Sequence, residues 1–467
     1  MGDQSKSATK KTDEQLIQDI VKVGIEKSGL RDEIYCQIFK QTNGNPKPDN
    51  VAKGWLLLAL CVGCFLPSDE LYPYLNSMLT SATKSSNQDI SKMALYASAI
   101  LPRTLKLANT SIEGIRKYPP STLEISSIRR GGFERTQNRP ILCKIFTLDG
   151  IQKGIYVDPS TTVDEAVNEF VERIHIKQRD GFALCEATLG RERQLGGAEL
   201  MCDVMATWEL GSKRGLAAEN VNRNELRFLY KKKFWENVHE QITDGVAAEL
   251  LYHQAVYDVI FGFLPITKDA AAKLAALQLQ ASRGDMADDN QITGTFLHEY
   301  VPQRLLNVFG RVEDWVPVLR ASHEVLKGKT PEQCKQEYTD FVKNLPMYGV
   351  SIYPCEQTRE PKKVWFCLDA NRTFITEEFS EKILDEWTYS QIPNWSVGEN
   401  CFTMNVGTLL QPHRRVFNTT RAEEIGGTFR AFVEVQVKLK ELEKKKQLQK
   451  QSSGSSINLG APSKRTA

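Results

Sequence analysis

LRDEIYCQIFKQTNGNPKPDNVAKGWLLLALCVGCFLPSDELYPYLNSML, residues 30 to 79, decides what kind of molecule this is. From Gly54 to Leu66 the run is apolar all round rather than on one stripe, which is how a helix walled in by other helices reads. It is too short to cross a bilayer. A charged amphipathic helix precedes it and ends at Gly44 and Pro46; Pro67-Ser68-Asp69-Glu70 follows, where Ser68 can cap a new helix at its orphan amides. The stretch is a helical packing unit with no catalytic group at its centre.

At 467 residues the chain exceeds what one hydrophobic core holds. Apolar content of 41% and charged content of 25% are those of an ordinary globular protein, and a formal net charge of +2 argues neither for nor against a polyanionic partner. Ten cysteines are scattered, mostly inside apolar segments, and no secretory signal precedes them, so they read as reduced core thiols.

Composition shifts mark the domains. Residues 1–12 are polar and basic and read as disordered. Residues 119–139 combine a proline pair, serines and a Gly-Gly step, which is linker chemistry closing a helical domain at 13–135. From Pro140, the face Ile141, Cys143, Ile145, the turn Asp149-Gly150 and the return strand through Ile155 and Val157 read as a hairpin. Thr162-Val163-Asp164-Glu165 is a capping box for a helix with Val163, Ala166, Val167, Phe170, Val171 and Ile174 on one side. Strand, turn, strand, helix opens a β-grasp over 139–233. Residues 234–340 read as helical, with Thr267 capping a helix closed by Gly284. Short strands follow over 341–446, ending in a helix that begins near Thr420 and carries Ile425, Phe429, Phe432 and Val433 as its apolar stripe, with Gly426-Gly427 weakening one turn. From Gln436 onward seven Lys and one Arg stand against two Glu, a sum of +6, and 447–467 reads as a solvated basic, Ser-rich tail.

Residues 12 to 135, through the opening stretch, resemble the myosin tail homology 4 domain of unconventional myosins and of one plant kinesin family. LLYHQAVYDVIFGFLPITKDAAAKLAALQLQASRGD, from Leu250, resembles the central lobe of a FERM domain. Together they imply a multidomain α and α+β chain. A helical bundle is followed by a ubiquitin-like β-grasp, an acyl-CoA-binding-protein-like helical lobe, and a pleckstrin/phosphotyrosine-binding-like β-sandwich with a C-terminal helix.

Catalytic signatures fail residue by residue. His323 to Thr330 ends in the Gly-Lys-Thr of a phosphate loop, but His323 stands where the first glycine is required, and Thr330-Pro331-Glu332-Gln333 is a helix start. His298-Glu299 and His323-Glu324 lack the second zinc-binding histidine, since Pro302 and Lys327 occupy its place. Cys61-Val62-Gly63-Cys64 has metal-like spacing inside an apolar helix, without a second cysteine pair. The expectation is no enzyme, no metal and no cofactor.

The resemblance implies instead a cargo-binding and regulatory tail of a class VII-like, X-like or XV-like myosin. It would be cytoplasmic, cytoskeleton-associated and placed at the cortex or at membrane protrusions. The alternative is a motor-independent or plant-kinesin-type adaptor linking microtubules to membrane receptors. Implied partners are receptor tails or adaptor proteins, microtubules, an acidic phosphoinositide membrane surface and the chain's own motor domain, with no nucleic acid. A basic helical face for microtubules or an acidic partner would use Lys84, Lys92, Arg103, Lys106, Arg116 and Lys117; residues 1–135 hold 18 Lys and Arg against 14 Asp and Glu, a surplus of four. A peptide groove in the third lobe would be formed by Asn394, Trp395, Ser396, Val397, Phe429 and Phe432. Arg414, Arg415, Lys438 and Lys440 are candidates for a lipid headgroup or a motor contact, whereas Lys231, Lys232 and Lys233 read as the exposed end of a strand.

Overall fold

A computed structural model describes residues 11–110, 115–133, 135–188, 191–210, 226–235, 237–261, 264–285, 293–308, 311–358, 362–408 and 411–454. It divides into two compact units, Met1–Lys231 with Ile242–Gln254, and Lys232–Gln241 with Ala255–Ala467.

The first unit opens with helices α1 (Asp13–Glu26), α2 (Arg31–Thr42), α3 (Pro48–Cys64), α4 (Tyr72–Ala82), α5 (Gln88–Thr110) and α6 (Thr122–Arg130). Thr12 accepts from the Gln15 amide while the Gln15 side chain accepts from the Thr12 amide, so α1 starts on a complete capping box. Every residue of α3 from Gly54 to Cys64 is buried. Tyr35 and Ile38 of α2, Leu75 and Leu79 of α4, and Ala97 and Ile100 of α5 belong to the same core. The all-round apolar run is therefore the central helix of the bundle, and each buried leucine stabilises it by about 2 kcal/mol. Ser68 accepts from the Leu71 amide and caps the turn that leads into α4.

Residues 119–139 are not a linker. Ser121 caps α6 by accepting from the Glu124 amide, and Ile125, Ile128 and Phe133 are buried in the helical core, where the Phe133 ring stacks on Tyr96 at 4.4 Å. Pro119-Pro120 and Gly131-Gly132 bracket a helix; they do not loosen a tether.

The same unit continues with β1 (Ile141–Phe146), β2 (Gln152–Val157), α7 (Val163–Ile174), β3 (Phe182–Thr188), β4 (Arg191–Gln194), α8 (Met201–Leu210) and β5 (Arg227–Lys232). The sheet order β2-β1-β5-β3-β4, with β1 antiparallel to β2 and parallel to β5, is that of a ubiquitin-like β-grasp. Thr162 caps α7 as its sequence requires. Ala247 and Leu250, at the start of α9 (Gly245–Ile260), complete this core.

One buried ion cluster ties the helical domain to the β-grasp. The Arg116 guanidinium, with its side chain 0% exposed, grips Glu124 of α6 in two parallel bonds of 2.9 and 3.1 Å, and its Nε donates to Asp203 of α8 at 2.6 Å. The second Asp203 oxygen accepts from the Lys117 amide at 2.9 Å. Nearby, a Cβ on Gly63 would stand 2.9 Å from the Pro159 ring, so only glycine lets α3 approach the β-grasp this closely.

In the second unit, α10 (Lys268–Arg283), α11 (Gly294–Tyr300), α12 (Gln303–Val308), α13 (Val316–Glu324) and α14 (Pro331–Lys343) make up the helical lobe. Thr267 caps α10, and Thr330 builds a capping box for α14 with Pro331 in the first turn. Strands β6 (Ser351–Gln357), β7 (Lys363–Leu368), β8 (Arg372–Glu377), β9 (Ile383–Thr388), β10 (Asn394–Val397), β11 (Cys401–Thr408) and β12 (Gln411–Asn418) form an antiparallel sheet in the order β10-β11-β12-β6-β7-β8-β9. Its core of Tyr353, Phe366, Phe402 and Phe417 is closed by α15 (Ala422–Gly454) through Ile425, Phe429 and Phe432. The helix runs on through 447–454, which the sequence assigns to a disordered tail; residues 1–10 and 455–467 lie outside the described residues.

Replacing Arg116 with Met leaves two carboxylates buried without their cation, and should cost about 3–5 kcal/mol in urea unfolding. Replacing exposed Lys106 with Met should change stability by less than about 0.5 kcal/mol. Equal effects would show that the cluster does not hold the unit together.

Candidate functional site

The sheet of the second unit has two open ends, β10 and β9. β10 pairs with β11 from Asn394↔Asn405 to Val397↔Phe402, which uses one side of its backbone, and among the described residues no strand pairs with the other side. Asn394 and Ser396 point outward and are exposed, while Trp395 and Val397 are half-buried. Inward, the Trp395 ring lies 4.7 Å from the Phe429 ring, and the Asn405 side-chain amide donates to the Asn394 side-chain oxygen at 2.6 Å. The strand is short, polar on its outer face and braced from behind.

α15 lies directly on β10. A Cβ on Gly426 would stand 2.4 Å from the Val397 side chain, so Gly426 is the residue that allows this contact. Phe429 and Phe432, expected to line a groove, are 0% and 1% exposed and belong to the core. The stripe that identifies them as helical is packed inward, with Phe429 against the Phe402 and Trp395 rings. The part of the site open to a partner is the outer edge of β10, with Asn394 and Ser396 facing out and Trp395 and Val397 behind it.

The basic set in the helical domain is only partly a surface. Lys84, Lys92, Lys106 and Lys117 are exposed. Arg116 is withdrawn into the ion cluster, because two carboxylates compensate its buried charge there. Arg103 is engaged as well, with Nε 2.9 Å from Asp158 and Nη2 2.7 Å from Glu165; burial pulls its pKa down, but the two acids outweigh that and raise it. Both arginines serve the contact between helical domain and β-grasp.

Arg414 is exposed, whereas Arg415 is paired with Asp385 at 3.2 Å and lies over the Trp387 ring. Lys440 is exposed; the Lys438 side chain lies outside the described residues. Lys231, Lys232 and Lys233 are buried rather than exposed: Lys231 reaches Glu192 at 3.4 Å, and Lys232 reaches Glu240 at 3.0 Å and sits over the Trp235 ring. Acids distant in sequence make this burial tolerable. Among the described residues no helix is long and apolar enough to cross a membrane.

Comparison with known proteins matches four family descriptions in succession: MyTH4 domain over residues 17–127, RA like domain over 139–234, FERM central domain over 237–353, and PTB domain (IRS-1 type) over 355–437. The chain is 26% identical to a myosin-I heavy chain of Dictyostelium discoideum over 89% of its own length, and 30% identical to myosin-VIIa of Drosophila melanogaster over 80%. A kinesin-like protein of Oryza sativa subsp. japonica is 25% identical over 73%. The chain spans 18%, 17% and 27% of these three relatives' lengths. Among solved structures, the first MyTH4-FERM domain of Dictyostelium discoideum myosin VII superposes with a TM-score of 0.73 at 23% identity, covering 93% of this chain and 86% of that one. The human myosin 7b C-terminal MyTH4-FERM domain, solved in complex with the harmonin-a PDZ3 domain, gives 0.71 at 22% identity, covering 92% and 85%.

None of the matched families is a catalytic one, and the motifs that border on catalytic signatures fold as structural parts. Burial pushes the Cys64 thiol up to about 12 and the Cys61 thiol up as well, which keeps both protonated. In the phosphate-loop-like run, the Gly328 amide donates to Asp285, Lys329 pairs with Glu337 and Thr330 caps α14. His323 is buried, its Nε2 has no hydrogen-bond partner among the described residues, and desolvation lowers its pKa. A histidine held neutral by burial contributes stability above its unfolded pKa of about 6.5 that is lost as pH falls below that value. The urea midpoint should therefore fall between about pH 7.5 and about pH 5.5, and His323→Gln should flatten that fall. An identical pH profile in the variant would contradict the assignment.

Proposed function

The chain belongs to the MyTH4-FERM tail family of unconventional myosins, and from that premise we propose that it is a non-catalytic cargo-binding module whose docking element is the outer edge of β10. The observation that carries this reading is the side of β10 with which no strand pairs among the described residues, held flat by Trp395 on Phe429 and by α15 packed on Val397. An extended segment of a receptor tail or adaptor protein adds a strand there. Main-chain bonds supply affinity, and the side chains flanking Asn394 and Ser396 supply selectivity. The myosin 7b module solved with a PDZ domain is a precedent for an adaptor as cargo. In a longer parent chain the same edge offers a motor domain a place to fold back and be held inactive.

A second reading, a microtubule-linking adaptor, is favoured by one observation: Lys84, Lys92, Lys106 and Lys117 remain exposed, and a kinesin-like protein is among the relatives. With Arg103 and Arg116 withdrawn the face is thin, and its contacts are screened over about 10 Å at 0.1 M salt.

Fluorescence anisotropy with tiled peptides from receptor tails and adaptors separates the two readings. The Gly398 amide donates to the Cys401 carbonyl, so by antiparallel alternation Ser396 faces Thr403 in the ladder and the Val397 amide points to the open edge; Val397→Pro removes that edge donor and should weaken peptide binding at least about tenfold. The triple variant Lys84→Glu, Lys92→Glu, Lys106→Glu should leave it unchanged. Peptide affinity insensitive to Val397→Pro would sink the edge-strand reading, and salt-sensitive microtubule pelleting lost in the triple variant would establish the second.

A further inference from the structure

We propose that the end of α15 is a basic arm that binds anionic bilayer surfaces, a site distinct from the β10 edge. The last described tie between α15 and its lobe is the Gln436 side chain, which donates to the Ala370 carbonyl at 2.5 Å. Beyond it the helix runs from Val437 to Gly454, about 27 Å at 1.5 Å per residue. Val437 is 50% exposed, and Lys440, Glu441, Lys444 and Lys445 are exposed.

The charge on this arm is one-sided. Lysines stand at 438, 440, 444, 445, 446 and 450 against Glu441 and Glu443, and from Lys444 to Ala467 there are five Lys and one Arg with no Asp or Glu. A helix this basic repels a second copy of itself, which disfavours a coiled-coil partner. Val437, Leu439, Leu442 and Leu448 are spaced by two, three and six residues, so the sequence carries no continuous apolar seam.

The chemistry also lacks what specific protein recognition uses. Residues 436–454 contain no Arg and no aromatic side chain, the residues that dominate protein interfaces. Lysine is a flexible point charge without bidentate geometry. A rod of point charges suits a diffuse, laterally mobile anionic surface. The exposed Val437 can rest in the headgroup layer of a bilayer, whereas against a hydrated acidic polymer it stays in water.

The test is cosedimentation of the full chain with phosphatidylcholine vesicles, with and without about 30% phosphatidylserine, at about 0.1 M salt. The intact chain should pellet only with the anionic vesicles and be released as salt is raised. The variant Lys444→Gln, Lys445→Gln, Lys446→Gln, Lys450→Gln should bind on the order of a hundredfold more weakly, with an unchanged thermal melt. A chain ending at Gln436 should behave like that variant, and Val397→Pro should bind vesicles like the intact chain. Equal pelleting with neutral vesicles, or undiminished binding by the quadruple variant, overturns the proposal. So does loss of microtubule pelleting in that variant without any vesicle binding by the intact chain, which would assign the arm to an acidic protein polymer.

Discussion

An arginine with no exposure to water, shared between a carboxylate of its own domain and one from the next, is the constraint on which the first unit depends. Burying Arg116 with Glu124 and Asp203 carries a desolvation cost of several kcal/mol per ion, and it is tolerable because almost every polar atom finds a partner. Such a cluster contributes little net stability over well-packed apolar side chains. It does penalise any arrangement that separates α6 from α8, since either half alone would hold an uncompensated charge. The unit boundary accordingly falls after the β-grasp and not between it and the helical domain. Asp158 repeats the theme: burial raises its pKa, and Arg103 and Arg139 oppose that shift.

What the sequence made legible were the local rules. The α3 run, the caps at Thr162, Thr267 and Thr330, and the Asp149-Gly150 turn each depend on neighbours within a few residues, and each lies where periodicity and capping chemistry place it, whereas Thr12, read with the disordered N-terminus, caps α1. Illegible were partners far apart in the chain. Nothing near Arg116 signals Asp203, and nothing near Lys231 or Lys232 signals Glu192 or Glu240, so buried cations read as surface. Residues 119–139 misread for another reason. Proline pairs and glycine pairs punctuate both linkers and helix ends, and only the burial of Ile125 and Ile128 tells which.

The candidate site shows the same division. The apolar stripe of α15 was evident in Ile425, Phe429 and Phe432, and its packing inward follows from ordinary amphipathicity. At Gly426 the missing side chain lets α15 come against Val397, and the exposed residues of β10 are Asn394 and Ser396. That β10 ends the sheet is a property of topology, and only the family resemblance, not local pattern, pointed to a docking strand at Asn394–Val397.

Native-state hydrogen exchange across the first unit tests the Arg116 cluster most directly. If the cluster joins the helical domain to the β-grasp, the most protected amides of α3, α6, α8 and β1 should open with one common free energy and one common denaturant dependence. Exchange of α3 and α6 at a distinctly lower free energy than α8 and β1 would contradict it, because the helical domain would then be unfolding on its own.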